Sequence, residues 1–338
     1  MAVTIGDVAR LAGVSRSTVS YALSGKRAIS EATRERIQAA IDELGFTPNA
    51  GARALATSQT KVLGLYLQFQ EDEFAPAMLQ YVLPVSNAAR ENGFELLMVT
   101  DTDVVGAVRR TTSSYMVDGV VLLDVTYDDA RLESLRSAVQ PAVLIGYARN
   151  GAGFDSYDLD FGEAARLVVD HLAELGHRDV VLITPPRHVY DRGGSYAWRF
   201  RDAAIERAAR YGIRLSSHYG ESRHPAIADT LERALAASPN ATALMVHNDA
   251  TIAALPSYLH EHGLSAPEDL SVVGVFSHEF GQSFSLPFTA VETSPDRLGQ
   301  EAVRQLIRRI SGDPDVGAPV VRFIEPAVVD RGSTRSLA

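Results

Sequence analysis

The stretch from Ile5 to Leu23 constrains this chain most, because it has the pattern of two short helices joined by a tight turn. It reads IGDVARLAGVSRSTVSYAL, with apolar residues at helical spacing on both sides of Gly13. Glycine readily adopts the positive φ that such a turn needs, and Ser15 stands where a helix N-cap belongs. Two helices joined in this way form a helix-turn-helix, whose second helix can read base edges in the major groove of DNA. The alternative is a helical hairpin that binds nothing.

A third helix and a short linker follow this pair. Ser30 can cap the third helix, and Gly45 can end it. Pro48 cannot continue a helix, and an isolated segment as short as residues 50–56 is marginal as a helix in water. We therefore expect residues 1–46 to form a DNA-binding domain. Residues 47–60 form a hinge or linker that becomes helical only when something holds it, the alternative being an ordinary Ala-rich linker.

The charge of the chain is divided unevenly between this head and the rest. The net charge of the 338 residues is −10, but residues 1–61 contain eight basic and five acidic side chains, which leaves +3 on the head and −13 elsewhere. Attraction for DNA phosphates is thereby confined to one end. No apolar run approaches the roughly 20 residues that span a bilayer, and the N-terminus lacks the pattern of a signal peptide. With no cysteine in the chain, we expect a cytoplasmic protein without disulfides.

Residues 61–338 have the pattern of strands alternating with helices. Short apolar runs from Val62–Leu67 to Val143–Gly146 form one series, and runs from Val180–Thr184 to Val272–Val275 form a second one after Asp160. Such runs between helices are typical of buried parallel strands. The sequence therefore predicts an α/β fold: a helix-turn-helix head followed by two doubly wound parallel-sheet lobes with a cleft between them.

Taken in order, several segments resemble the LacI/GalR family of bacterial transcriptional regulators. The likeness is carried by VTIGDVARLAGVSRSTVSYALSG, ISEATRERIQAAIDELGFTPN and ARAL in the head, and it recurs at HLAELGHRDVVLI, HND, PEDLSVVGV and VDRGST in the body. The resemblance implies a body like a periplasmic sugar-binding protein, whose chain crosses between the lobes three times. Lobe 1 would comprise about residues 61–160 and 290–318, including the helix Pro295–Ser311. Lobe 2 would comprise about 161–289 and 319–338, with the last strands after Pro319.

The candidate DNA-contacting residues lie on the second helix, at its flanks and in the linker. They are Thr4, Ser15, Arg16, Ser17, Thr18, Ser20, Tyr21, Ser24, Ser30, Thr33, Asn49, Ala52 and Leu55. Arg16 can pair with guanine, and Leu55 is placed to wedge into the minor groove. Because one short head reads few bases, we expect a homodimer that reads a palindromic operator in double-stranded DNA. Only residues 331–338 follow the last strand, without a heptad pattern, so a dimer is predicted rather than a tetramer.

Candidate effector-binding residues follow the carboxyl ends of the predicted strands, where open α/β sheets bind ligands. They are Phe74, Asp124, Tyr147, Tyr190, Trp198, Arg199, Asn248, Asp249, Phe276 and His278, with Gln70 and Arg192 as further candidates. Aromatic rings can stack on the C–H faces of a sugar while carboxylate, amide and guanidinium groups bind its hydroxyls, so a sugar effector is favoured. Each residue could instead be a solvated loop residue or a helix cap. Whether Arg199 or Arg201 faces the pocket stays open.

The pocket departs from the family pattern at two points. Phe276 and Ser277 stand where family members often have an Asp pair, and Phe161 follows Asp160 where an Asn is frequent. These changes favour a more aromatic and less acidic pocket. A non-sugar effector such as a purine therefore remains an alternative.

Two other classes of function are weighed against a regulator. We find no Walker loop, HExxH or GxSxG motif, and so expect no enzyme, no catalytic residue, no cofactor and no metal site. A solute-binding sensor without a DNA role would leave the head unexplained. The sequence therefore predicts a sequence-specific DNA-binding transcriptional repressor whose operator affinity is changed by a small-molecule effector.

Overall fold

The computed structural model describes residues 3–24, 27–46, 54, 57, 59–68 and 74–337. Its head contains three helices, α1 (Ile5–Leu11), α2 (Arg16–Ser24) and α3 (Glu31–Leu44). Each helix contributes to one small core, in which Val8, Val19 and Ile37 are buried. Gly13 has a φ of +67° in the turn between α1 and α2, a conformation that L side chains rarely adopt. The predicted helix-turn-helix is confirmed.

The rest of the described chain alternates strands and helices, as predicted. In chain order the elements are β1 (Val62–Tyr66), α4 (Ala75–Glu91), β2 (Glu95–Val99), α5 (Val104–Ser113), β3 (Gly119–Leu122), α6 (Arg131–Arg136), β4 (Ala142–Ile145), β5 (Asp155–Leu159), α7 (Phe161–Glu174), β6 (Asp179–Thr184), α8 (Arg187–Asp191), α9 (Ser195–Arg210), β7 (Arg214–Tyr219), α10 (Ala226–Ala237), β8 (Ala243–Val246), α11 (Asp249–Glu261), β9 (Ser271–Val275), α12 (His278–Ser283), β10 (Thr289–Val291), α13 (Pro295–Ser311), β11 (Val321–Ile324) and β12 (Val328–Val329).

Lobe 1 is built on a six-stranded sheet in the order β11-β5-β4-β3-β1-β2, in which every neighbouring pair is parallel. Two apolar clusters cover its two faces. One contains Leu65 and Val143 together with residues of α4 and α13, and the other contains Val120 and Leu144 together with residues of α5 and α6. Burial on both faces explains why the central strands are continuous apolar runs.

Lobe 2 repeats this architecture with a six-stranded sheet in the order β12-β10-β9-β8-β6-β7. Its strands are parallel except for β12, which pairs antiparallel with β10. Helices α7 and α9 share one apolar cluster with the sheet, and α10 and α11 share the other. The predicted doubly wound lobes are therefore confirmed. None of the described helices combines the length and the apolar character needed to cross a bilayer.

The chain crosses between the lobes three times, from β5 into α7, from β10 into α13 and from β11 into β12. One assignment in the sequence analysis was wrong. The segment after Pro319 does not pass wholly to lobe 2, because β11 pairs with β5 in the sheet of lobe 1 and only β12 reaches lobe 2. Strand β11 supplies hydrogen-bond partners to the outer side of β5, whose backbone would otherwise lack them. Strand β10 also extends lobe 2 to Val291, beyond the expected boundary at residue 289.

Candidate functional site

The second helix of the head presents a polar surface opposite its buried side. Arg16, Ser17 and Tyr21 are exposed, whereas Val19 is fully buried against the other helices. Ser15 caps the helix as predicted, because its Oγ accepts a hydrogen bond of 3.1 Å from the backbone N–H of Thr18. The exposed N-terminal half of α2 therefore has the arrangement of a recognition helix.

The other predicted DNA contacts in the head lie at helix starts. Thr4 precedes α1, and its backbone N–H and Oγ both donate to Asp7 Oδ2, at 2.9 and 2.7 Å. These hydrogen bonds hold the pKa of Asp7 below its usual range. Ser30 precedes α3, and its Oγ lies 2.8 Å from Thr33 Oγ1. Each of these polar groups therefore has a local structural role.

The remaining DNA-contact candidates are further polar residues of α2 and residues of the linker. Thr18 and Ser20 are half-buried beside the exposed face of α2. The side chain of Ser24 and the linker residues Asn49, Ala52 and Leu55 lie outside the described part of the structure. Their assignment as DNA contacts stays a prediction.

A cavity of about 170 Å³ lies between the two lobes. Residues at the carboxyl ends of β3 and β4 line it on one side, and residues following β6 and β8 line it on the other, as the rule for open α/β sheets predicts. Helix α4 closes a further wall with Met78 and Tyr81. A cavity of about 150 Å³ holds one benzene ring, so this space accommodates a ligand of at least one ring.

Four of the ten predicted effector residues line this cavity. They are Phe74, Asp124, Asn248 and Asp249, and the further candidate Arg192 lines it as well. Gln70 lies outside the described residues. Their assignment as effector-binding residues stays a prediction.

The other six predicted residues lie away from the cavity wall, and packing explains each position. Phe276 is buried over Gly274 and Gly281, where a Cβ on either glycine would lie within 3 Å of its ring. Tyr190 is buried between the rings of Trp198 and Tyr219.

The surroundings of the remaining four are equally specific. Trp198 packs under the guanidinium of Arg201, and His278 is exposed and lies 3.4 Å from Glu292. Tyr147 packs against Phe323. Neither Arg199 nor Arg201 lines the cavity. The arginine that lines it is Arg192.

Arg192 and Asp124 form an ion pair across the cleft. Asp124 follows β3 in lobe 1, Arg192 follows α8 in lobe 2, and the two contacts between their side chains measure 2.8 and 3.0 Å. Asp124 has a positive φ of 53°, an uncommon conformation that Asp tolerates better than most residues. Arg131 holds this backbone in place, because its guanidinium donates to the carbonyls of Leu123 and Asp124.

Two hydrogen bonds to main-chain carbonyls also join the lobes along the rim of the cleft. The N–H of Tyr127 in lobe 1 donates to the carbonyl of Gly193 in lobe 2, at 2.7 Å. Ser195 Oγ donates to the carbonyl of Tyr147, at 2.6 Å. The cleft is therefore closed on this side by direct contacts between the lobes.

A second ion pair joins the lobes where the chain first crosses. Asp158 of β5 pairs with Arg199 of α9, and the rings of Tyr147, Phe161 and Phe323 surround the guanidinium. Burial raises the pKa of Asp158 to about 6, although the neighbouring Arg199 acts in the opposite direction. Asp158 itself lines the cavity.

A further contact between side chains of the two lobes involves no cation. Gln80 Nε2 of α4 donates to Asp249 Oδ1 of α11, at 3.2 Å, and both residues line the cavity. Burial raises the pKa of Asp249 to about 6. Burial also raises the pKa of Tyr81, and the negative charge of Asp249 adds to this effect.

Several cavity-lining residues have a polar atom that is buried without a hydrogen-bond partner among the described residues. Among these atoms are Gln80 Oε1, His188 Nε2 and His247 Nδ1. Burial lowers the pKa of His247 to about 3, so its ring is neutral at neutral pH. Unpartnered buried polar groups cost free energy, and a bound ligand or water that supplies partners would recover it.

Several of these lining residues were missed in the sequence analysis. His247 directly follows β8 and Phe161 lies two residues after the end of β5, so the rule that selected Asp124 would have selected them too. Gln80 and Tyr81 lie inside helix α4, and no local pattern in the sequence marks them as lining a cavity.

A DNA-reading head and a ligand-sized cavity in one chain define a class of protein, the DNA-binding regulator with an effector domain. The family model of bacterial regulatory proteins, lacI family, matches residues 4–49, and that of the periplasmic binding protein-like domain matches residues 169–334. The HTH-type transcriptional regulator CelR of Thermobifida fusca is 30% identical over 92% of both chains. The chain belongs to the LacI family and is a helix-turn-helix transcriptional regulator.

Further comparisons agree with this assignment. The HTH-type transcriptional repressor PurR of Vibrio atlanticus is 27% identical over 99% of both chains. A solved transcriptional regulator CelR–cellobiose complex is 27% identical, covers 98% of this chain and 99% of its own, and superposes with a TM-score of 0.68. These relatives are named as transcriptional regulators.

Proposed function

We propose that the chain is a repressor whose affinity for operator DNA changes when a small molecule binds between its two lobes. The observation that supports this most is the cavity, which both lobes line and which contains polar atoms without partners among the described residues. A ligand in this position contacts both lobes at once, so its binding free energy depends on their relative orientation. Coupling of this kind is typically worth about 1–3 kcal/mol.

We infer that the effector is a sugar. Phe74 of lobe 1 and Phe161 of lobe 2 supply ring faces for the C–H groups of a pyranose, while Asn248 and Asp249 of lobe 2 supply polar groups. The relative whose structure is described as a CelR–cellobiose complex supports this ligand class at 27% identity.

A purine is the second candidate. The same aromatic rings would stack on a base, and Gln80 Oε1 and His188 Nε2, which have no partner among the described residues, would bind its polar edge. Relatives named PurR, at 27% identity in the case of Vibrio atlanticus, support this alternative.

We propose that the active species is a homodimer joined through lobe 1. Leu79 and Leu83 on α4 are 44% and 59% exposed, and Met98 on the edge strand β2 is 48% exposed. Apolar side chains that are exposed side by side favour burial against a second surface. Two heads held by such a dimer would read the two halves of a palindromic operator about one helical turn apart. The dimer would act in the cytoplasm, where the operator DNA is.

Within each head, Arg16, Ser17 and Tyr21 are the proposed base-reading residues because they are exposed on α2. Leu55 of the linker is proposed to insert into the minor groove between the half-sites. No catalytic residue is assigned.

The proposal is tested with genomic DNA fragments selected by the full-length protein. The selected fragments should share an inverted repeat, and a mobility-shift assay should give one complex containing two chains. Adding the effector should change the operator affinity about 5–150-fold, the usual range of allosteric coupling. Selection of fragments without a common sequence would contradict the proposal, as would an operator affinity that no sugar or purine changes.

A further inference from the structure

Not every carboxylate on the cavity wall is paired with a cation among the described residues. Among the described residues, the wall contains three carboxylates, from Asp124, Asp158 and Asp249, and one guanidinium, from Arg192. Arg192 holds Asp124 with two contacts, and Arg199 holds Asp158 from behind the wall. In the described part of the chain, Asp249 forms no ion pair, and the only side chain that donates to it is Gln80. One negative charge in the cavity is therefore left without a cation.

The orientation of the Gln80 amide follows from that charge. An ionised carboxylate only accepts hydrogen bonds, so the NH₂ end of the amide must face Asp249. The carbonyl oxygen at the other end of the amide, Oε1, is buried without a partner among the described residues. Gln80 and Asp249 thus bring one hydrogen-bond acceptor from each lobe to the cavity wall.

The guanidinium on the wall does not offset this arrangement. Arg192 already forms a two-contact ion pair with Asp124, so an anionic ligand would have to displace an intramolecular carboxylate. The same ligand would bring its charge close to Asp249, and like charges in a poorly solvated cavity repel strongly. A ligand that donates hydrogen bonds meets neither obstacle.

We propose, building on the proposed function, that the effector is an uncharged molecule with two adjacent hydrogen-bond donors, such as the vicinal hydroxyls of a sugar, bound by Gln80 and Asp249 together. Phosphorylated and carboxylate-bearing molecules are excluded by Asp249. Gln80 and Asp249 thereby determine which ligands bind as well as how tightly, because only a ligand that donates to both residues forms hydrogen bonds with both lobes.

The test compares neutral molecules with their monophosphates. The full-length protein is titrated with glucose, cellobiose and adenosine, each beside its monophosphate, by thermal shift and then by calorimetry. We expect the stabilising compounds to be uncharged and each monophosphate to bind at least about tenfold more weakly than its parent. In Asp249→Asn that ratio should fall toward one, because the repelling charge is gone while the shape of the site is kept.

Asp229→Asn is the matched control. Asp229 also lies in the first turn of a lobe 2 helix, but it is exposed and outside the cavity, so its replacement should leave the ratio unchanged. Gln80→Met should weaken the neutral ligand without changing the ratio, and it tests the pair independently of Asp249→Asn.

Each outcome decides one question. Tighter binding of a monophosphate to the wild-type chain overturns the exclusion of anions while leaving the proposed function intact. A ratio that persists in Asp249→Asn assigns the discrimination to shape and also overturns the inference. If none of the six compounds stabilises the chain, the proposed sugar or purine effector is refuted, and this inference falls with it.

Discussion

Replacing Arg192 with Met should open the cleft, because it removes the cation that joins the two lobes at the rim. The substituted side chain keeps most of the length and apolar contact of arginine but none of its charge. Asp124 would remain with its side chain 9% exposed and without the guanidinium that now lies 2.8 Å away. An unpaired carboxylate in that position is unfavourable until water reaches it.

The size of the effect follows from the burial of the pair. Removing one partner of a buried ion pair costs about 3–5 kcal/mol, because the remaining charge is stranded. Here the lobes can separate and rehydrate Asp124, so the cost falls on the closed arrangement and not on folding. A shift of about 3 kcal/mol corresponds to roughly a hundredfold change in the ratio of closed to open molecules.

The opening can be measured on the free protein. Small-angle scattering should show a larger radius of gyration for Arg192→Met. The fluorescence of Trp198, the single tryptophan of the chain, should also change, since α8 and its own helix α9 flank the turn that contains Arg192. The double variant Asp124→Asn/Arg192→Met should recover part of the closed population, because it leaves no stranded charge.

A neighbouring ion pair provides the control. Arg149 and Asp128 are 2.6 Å apart, but both lie within lobe 1 and are more than half exposed. Exposed pairs contribute about 0–1 kcal/mol, so Arg149→Met should leave scattering and fluorescence unchanged. If Arg192→Met behaves like Arg149→Met, the ion pair does not hold the lobes together and the reasoning is refuted.

Three further predictions follow from the head, the linker and the cavity. Arg16→Ala should change the operator consensus obtained by selection from random DNA and cost about 1–3 kcal/mol on the original operator; an unchanged consensus would remove Arg16 from the base-reading set. Leu55→Ala should weaken operator binding and reduce DNA bending while leaving the melting temperature of the body nearly unchanged; a large loss of melting temperature with unaltered bending would make Leu55 a structural residue. Asp249→Asn should stabilise the chain at pH 7.5 but not near pH 4, because a carboxyl whose pKa rises from 3.8 to about 6 on folding loses its favourable contribution as the pH rises through 6. The gain is at most about 3 kcal/mol, and equal melting temperatures of Asp249→Asn and the wild type across this pH range would contradict the burial of the charge.

The α/β fold could be predicted from the sequence because central strands that are buried on both faces consist of continuous apolar residues. Strands β3, β4 and β8 are short apolar runs between helices, and all their residues are buried. Strand β5 reads DSYDL and was overlooked, although it is buried throughout. Its two aspartates are compensated by arginines from distant helices, Arg309 and Arg199, and such pairing cannot be read from local sequence.

The candidate site was only partly predictable for a related reason. The rule that ligands bind beyond the carboxyl ends of strands selects a position in the fold, and Asp124 and Asn248, which it selected, line the cavity. It also selected Phe276, whose ring turns back over two glycines into the core. Which way a side chain leaves a strand end depends on the space its neighbours leave, and Gln80 reaches the cavity only because α4 packs beside it.

The three chain crossings between the lobes lie close together, at one edge of each sheet. They involve β5 and β11 at one edge of the first sheet and β10 and β12 at one edge of the second. Connections at these edges permit one lobe to rotate relative to the other about the joined edges, and they resist sliding of one lobe past the other. When a lobe rotates, each of its strands moves by a distance that grows with the separation of that strand from the joined edge. Strand β2 lies five strand spacings from β11, or about 24 Å at about 4.8 Å per spacing. A rotation of about 5° in the cleft would therefore move β2 by about 2 Å, at the edge proposed to meet the second chain and one strand from where the linker enters the body.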